Sequence, residues 1–156
     1  MIIREIQISD YLADLGPLFA EQQAEIGEDH AIGLPLVPDP DVERYALLDQ
    51  SGMSLALGVF DEADEQIVGY SNNLISESLH YRGVVICQND AIYLRADHRR
   101  GTLGLRLMRE TERVAYVRGA DLVVWQCKPD TPMHALLAKG RYALQDLVYT
   151  RALNGH

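Results

Sequence analysis

Little in this 156-residue chain could cross-link it, bind it to a metal or carry it through a membrane. It has two cysteines, Cys87 and Cys127. Both fall in apolar runs that read as strands, so the expectation is two buried reduced thiols rather than a disulfide. Neither has a partner at zinc-ligand spacing, and no metal site is expected. No run of 18 or more apolar residues is present, which excludes a membrane-spanning helix. The first ten residues, MIIREIQISD, lack the basic and apolar regions of a secretory signal, so a cytoplasmic protein is the expectation. Repeats and low-complexity segments are also missing. A chain of this length forms one domain, residues 1–156, large enough for a two-layer core.

Charge is present but unevenly placed. The net charge is -9 and the pI about 4.9. Between Glu21 and Glu65 there are twelve acidic residues against one basic residue, Arg44. Between Arg95 and Arg118 there are seven arginines against Asp97, Glu110 and Glu112. Two solvated faces of opposite sign would account for this. So would a polyanion site in the arginine-rich half with an acidic surface that draws in a cationic substrate. Nucleic acid is not an expected partner, because the pI is low and the arginines sit in one motif rather than across a face.

Periodicity orders the elements. Residues 1–8 alternate as a strand. Ser9 and Asp10 offer an N-cap for a helix over residues 11–27, which Gly16-Pro17 should end or kink. Residues 33–41 hold three prolines and read as a loop, after which Asp39 or Asp41 caps a helix over 42–49. Strands are expected over 53–60, 66–81 and 84–97, then a helix over 103–118 stopped by Gly119. A short strand over 121–127 reads as buried on both faces. A helix from about Pro129 or Pro132 ends at Gly140, and residues 142–153 read as a last strand. Short turns make the three middle strands antiparallel, whereas the strand–helix–strand unit over 84–127 must be a parallel right-handed crossover. The fold class is therefore α/β (α+β), with a mixed, mostly antiparallel sheet and helices on both faces.

The informative seam lies where the strand over 84–97 feeds the next helix: Arg99, Arg100, Gly101, Thr102, Leu103, Gly104. A helix start offers free N–H groups and the positive end of the helix dipole to an anion. Gly101 and Gly104 would let a phosphate approach the backbone, and the two arginines add charge. A tight turn with solvated arginines is the competing reading of these six residues.

With its element order, this seam resembles that of the GNAT superfamily of acyl-CoA N-acyltransferases, over essentially the whole chain. The family's Arg/Gln-x-x-Gly-x-Gly/Ala is kept at Arg99 and Gly104, but Thr102 stands at the middle glycine and Gly101 comes one residue early. The chain is similar to a variant among phage-encoded and proteobacterial GNAT-like proteins, in which Leu79-His80-Tyr81-Arg82, Gln88-Asn89-Asp90, Tyr93-Leu94 and the stretch from Arg99 to Leu107 recur together. The resemblance implies a single-domain GNAT fold with a splayed parallel pair of fourth and fifth strands. It implies that the pantetheine arm of acetyl-CoA, the co-substrate, pairs near Ile92 and Leu94, and that the pyrophosphate meets the amides from Arg99 to Gly104. By strand alternation Ile92 and Leu94 share a face, unless a bulge moves it.

The activity implied is acetyl transfer from acetyl-CoA to a primary amine of a small molecule or protein. Asp90 would be the base and Asn89 its orienting neighbour, with a strand amide near Leu94 holding the carbonyl. The tyrosine that the family uses as general acid is replaced by Leu137 when Tyr142 is aligned with the family's final aromatic residue. His134 and Tyr149 are the substitutes, and Lys128 is a candidate partner for a CoA phosphate. Glu25, Glu28 or Asp29 could bind a cationic acceptor, and His30 and His80 have no assigned role. The partners expected are CoA, acetyl-CoA and an amine, cationic if the acidic half steers it, with no nucleic acid and no membrane; a homodimer is left open. The alternative is a GNAT-fold module that binds CoA without turnover, or a non-catalytic, virion-associated interaction module. A nucleotide-binding regulator is disfavoured, because no ribose-binding acid follows a GxGxxG.

Overall fold

A computed structural model describes residues 1–27, 33 and 36–153. One five-stranded sheet runs in sequential order: β1 (Ile2–Ile6), β2 (Ser54–Phe60), β3 (Ile67–Glu77), β4 (Val85–Leu94) and β5 (Leu122–Val124). The first four strands pair antiparallel, and β5 joins β4 in parallel. Helices α1 (Leu12–Ile26), α2 (Val42–Ser51), α3 (Leu103–Val117) and α4 (Pro132–Lys139) are the four described.

Period-two alternation sends β2 to two cores. Leu55, Leu57 and Val59 face Leu103, Leu107, Val114 and Ala115 of α3. Ala56 and Phe60 face the other way, packing with Ile8, Leu15 and Leu18 from the α1 side. The sheet is therefore covered on both faces, and all seven residues of β2 are buried.

Several sequence expectations need correction. Pro17 does not break α1, which runs unbroken through it. The carbonyl left without its bond belongs to exposed Ala13, where water can serve it. Ser9 does not cap that helix; its hydroxyl and amide both bond Asp49 Oδ2, at 2.6 and 2.9 Å, tying the turn before α1 to α2. Asp41, one of two expected caps, does start α2, accepting from Arg44 N–H at 3.0 Å. The long third strand stops at Glu77, and Leu79 to Arg82 form an exposed hairpin loop in which Ser78 Oγ accepts from the amides of His80 and Tyr81.

At the C-terminal side β5 is only three residues long and half-exposed rather than buried on both faces. Residues 142–153 form no strand. Their apolar side chains, among them Leu144, Val148 and Leu153, are exposed. An apolar run becomes a strand only where an edge exists to pair with, and the short β5 offers almost none. Cys87 is buried as expected, and burial pushes its thiol up to about 11. Cys127, beyond the end of β5, is exposed.

Candidate functional site

After β4 the chain makes a short 3₁₀ turn over Ala96–His98 and enters α3 through Arg99 to Thr102. Gly101 has φ +64°, a left-handed conformation that strains any side-chain-bearing residue. The Arg99 and Arg100 amides bond back to Ala96 and His98, at 3.4 and 2.8 Å, so these two expected phosphate donors are already engaged. The first amide of α3 with a helical partner is Arg106, which donates to the Thr102 carbonyl at 2.8 Å. Among the described residues, the N–H groups of Gly101, Thr102, Leu103, Gly104 and Leu105 have no acceptor. The Thr102 side chain makes no capping bond, and no carboxylate lies in the first turn. These omissions leave the whole anion-binding end of the helix open.

Gly104 is not required by the protein's own packing. A Cβ built there would meet nothing within 4 Å. The two glycines thus differ in role: Gly101 makes the turn, and Gly104 leaves space in front of the free amides.

The two arginines also separate. Arg99 forms a latch: Nε donates to the Leu94 carbonyl at 2.6 Å, and both terminal nitrogens donate to the two oxygens of Glu25 at 2.6 Å. Its guanidinium stands 5.1 Å from the Tyr93 ring centroid. Arg99 therefore ties the last turn of α1 to the end of β4. Arg100 is exposed, with no ion pair among the described residues, and is the cation of the seam left to meet a ligand.

The latch has an acid signature. The Arg99 hydrogen bond holds the Glu25 carboxyl below its usual range against the opposing effect of burial. A depressed folded-state pKa contributes stability that is present above the unfolded value and lost as pH falls through the folded one. Glu25→Gln should therefore lower Tm at pH 7, with the gap from wild type closing below about pH 4. Melting curves from pH 3 to 7 check this; a gap independent of pH would mean that the ion pair is not what was lost.

Beside the seam the sheet opens. The parallel pairing of β4 with β5 ends at Gln88 and Val124, while β4 continues to Leu94. A bulge between the Asn72/Ala91 and Asn73/Asn89 pairs makes Asp90 the inserted residue. Past it the Arg95 amide donates to Val68 O at 2.9 Å, which marks 91, 93 and 95 as the residues bonded to β3. The alternation of an antiparallel ladder then turns the N–H and C=O groups of Ile92 and Leu94 into the gap. Their carbonyls have partners there, Gln22 Nε2 at 3.4 Å and Arg99 Nε at 2.6 Å. Their amides remain as donors facing the opening. The side chains of Ile92 and Leu94 share the α3 face.

Asp90 lies on the α1/α2 face. It is exposed, and its Oδ2 accepts from Asn72 Nδ2 at 3.3 Å. Tyr45 and Tyr70 are its neighbours: burial pushes both phenols up, and the Asp90 charge pushes them further. The Tyr70 hydroxyl donates to Gln22 Oε1. No motif pointed to Tyr45 or Tyr70, which reach Asp90 only through the packing of α2 and β3. Asn89 is turned away from Asp90 and is 1% exposed.

The remaining expected residues do not converge on this point. His134 Nδ1 accepts from the Asp130 amide at 3.3 Å, and its own amide is capped by Thr131 Oγ1 at 3.2 Å, a helix-start arrangement. Tyr149 is 87% exposed and outside any strand. The half-buried Lys128 accepts through its carbonyl from Thr131 Oγ1 at 2.8 Å. Tyr142 donates to Glu112 Oε1 at 2.6 Å, the oxygen that also accepts from Trp125 Nε1, and burial with that carboxylate pushes its phenol up to about 12. Glu25 is held by Arg99; Glu28, Asp29 and His30 lie outside the described residues. An open cleft of about 560 Å³ lies beside the seam, lined by Glu21, Ala24, Glu25, Tyr93, Arg95, Ala96 and Asp97. Among the described residues no cluster of His, Cys, Asp and Glu could hold a metal ion, and no helix is long and apolar enough to cross a membrane.

The chain matches no family model and no curated protein. Its fold does match solved structures. A ribosomal-protein-alanine N-acetyltransferase from Brucella melitensis biovar Abortus 2308 is 20% identical with a TM-score of 0.66, over 96% of this chain and 97% of that one. An aminoglycoside acetyltransferase from an uncultured soil metagenomic sample, in complex with sisomicin, is 15% identical with a TM-score of 0.73, over 97% and 95%. An acetyltransferase from Trypanosoma brucei is 12% identical with a TM-score of 0.65, over 96% and 98%. At these identities the likeness is one of fold, and the fold is the one implied by the GNAT resemblance.

Proposed function

We propose that this protein transfers an acyl group, acetyl in the simplest case, from acyl-CoA to a primary amine. The observation that carries the reading is two sets of unsatisfied backbone donors on either side of one turn. Five amides open α3, and the Ile92 and Leu94 amides face the gap where β4 leaves β5. A diphosphate suits the first group and an extended amide-bearing arm the second. Arg100 adds a charge at the phosphate end. CoA has a diphosphate joined to such an arm, and a thioester at its far end would lie toward the Asp90 bulge.

In this reading an amine arriving as its ammonium loses a proton, directly or through water, to Asp90. Its lone pair attacks the thioester carbonyl, whose developing oxyanion is held by a strand amide near Leu94. The C–N bond forms and the C–S bond breaks; the nitrogen gives up its second proton to solvent as the amide forms, and the thiolate takes a proton from solvent. The acidic half of the chain favours approach of a cationic acceptor. A second reading, CoA binding without turnover, is favoured by one observation: among the described residues no hydroxyl or imidazole from the β5 side is placed as a general acid. Leu137 stands where the resembling family has its tyrosine.

Calorimetry with CoA and acetyl-CoA tests the common core of both readings. Saturable 1:1 binding is expected, and no heat at about 1 mM ligand would overturn it. Thiol release across a panel of primary amines separates the two, since the transferase reading requires turnover with at least one of them.

A further inference from the structure

Between α3 and the Asp90 bulge runs a chain of buried polar side chains that the reaction does not touch. Ser71, Asn73 and Thr111 are 0% exposed and Asn89 is 1% exposed. Thr111 Oγ1 is 2.9 Å from the Leu107 carbonyl of its own helix and 3.1 Å from Ser71 Oγ on β3. Asn73 Nδ2 donates to Ser71 Oγ and to the Leu55 carbonyl, both at 3.0 Å. The two N–H groups of Asn89 Nδ2 are shared among three acceptors, Asn73 Oδ1 at 2.9 Å and the carbonyls of Asn72 and Ala91, each at 3.2 Å. The last two contacts reach across the bulge: Ala91 follows Asp90 in the chain, and Asn72 is the ladder partner of Ala91.

Apolar side chains of similar size would pack this core at no desolvation penalty, so the polar chain needs a reason beyond stability. Register supplies one. An inserted residue decides which face each later residue of the strand takes. With the bulge at Asp90, Ile92 and Leu94 turn their amides into the gap; without it, Ala91 and Tyr93 would take those positions. Hydrophobic contacts with the two cores also resist such a slip, and the Asn89 amide adds a polar condition that is met in one register only.

We propose that Thr111, Ser71, Asn73 and Asn89 form a positioning network that fixes the Asp90 bulge relative to α3. The amide row at the head of α3 and the donors of the β4 edge are then held as one surface. The network rests on the acyl-CoA reading for its purpose, but its mechanical claim can be read without turnover.

The experiment is site-resolved amide hydrogen exchange by NMR on the full chain. Asn72 and Ala91 are ladder partners at the bulge, and Tyr70 and Tyr93 are the next bonded pair along the same ladder. Thr111→Val, nearly isosteric, removes the hydroxyl at the far end of the network, and Asn89→Ala removes the near end. Thr111→Val should speed exchange at Asn72 and Ala91 at least about tenfold more than at Tyr70 and Tyr93. Asn89→Ala should do so more strongly; if it does not fold, Thr111→Val decides the matter alone. A variant in which all four amides change in step, or none changes, would overturn the proposal. Calorimetric failure of wild-type CoA binding would sink the acyl-CoA reading instead and would leave the exchange result standing.

Discussion

Gly104→Glu should weaken CoA binding on the order of 100-fold while making the protein slightly more stable. The helix interior disfavours glycine by up to about 1 kcal/mol, and a carboxylate in the first turn favours the dipole by roughly 0.3 to 1 kcal/mol. No packing clash offsets these gains at the Cβ, which would meet no neighbouring part of the fold within 4 Å. Melting should show Tm raised by a few degrees. The same carboxylate stands in front of the free amides from Gly101 to Leu105 and repels a diphosphate. Affinity should fall on the order of 100-fold, about 2.7 kcal/mol, by calorimetry. Opposite signs for stability and binding separate this outcome from misfolding. Unchanged CoA affinity in a stable Gly104→Glu protein would mean that the ligand does not sit at the head of α3.

The second large effect is on rate. Asp90→Asn keeps the size of the side chain and an oxygen for the Asn72 amide, but removes the proposed base. Loss of general-base catalysis should lower kcat about 10²- to 10⁴-fold, with CoA affinity near wild type. The substitution also has a readout that needs no turnover. The Asp90 charge helps hold the Tyr45 and Tyr70 phenols above their ordinary range. In Asp90→Asn the phenol of Tyr45 should ionise at lower pH than in wild type, visible as phenolate absorbance in an alkaline titration. If kcat stays within a few-fold of wild type while the Tyr45 titration moves, the carboxylate is where the structure puts it but is not the base.

These two positions also show what kind of information was legible without coordinates. The Arg99-to-Gly104 seam was readable because turn formation and helix starts depend on residues within a few positions of one another. The same locality made Asp41 recognisable as a cap. It misled at residues 142–153, where an apolar run met every local condition for a strand and lacked an edge to pair with. The Arg99 latch could not be read from the seam, because its partner Glu25 lies 74 residues away. Tyr45 and Tyr70 carried no motif at all; they reach Asp90 only because α2 packs on the sheet face where β3 and β4 lie side by side.

By itself, the sequence determined the order of elements from β1 to α4, the mixed sheet with helices on both faces, and the glycines and arginines at the β4–α3 junction. Those follow from periodicity, backbone sterics and short-range hydrogen bonding, which act along the chain. Only the tertiary structure decided which donors are free. It engaged the amides of Arg99 and Arg100, left those of Gly101 to Leu105 open, turned Ile92 and Leu94 into the gap through one inserted residue, and placed Asn89 in the core rather than beside Asp90. A hydrogen-bonding group is available only if no other group in the fold has reached it, and that depends on contacts between residues far apart in the chain.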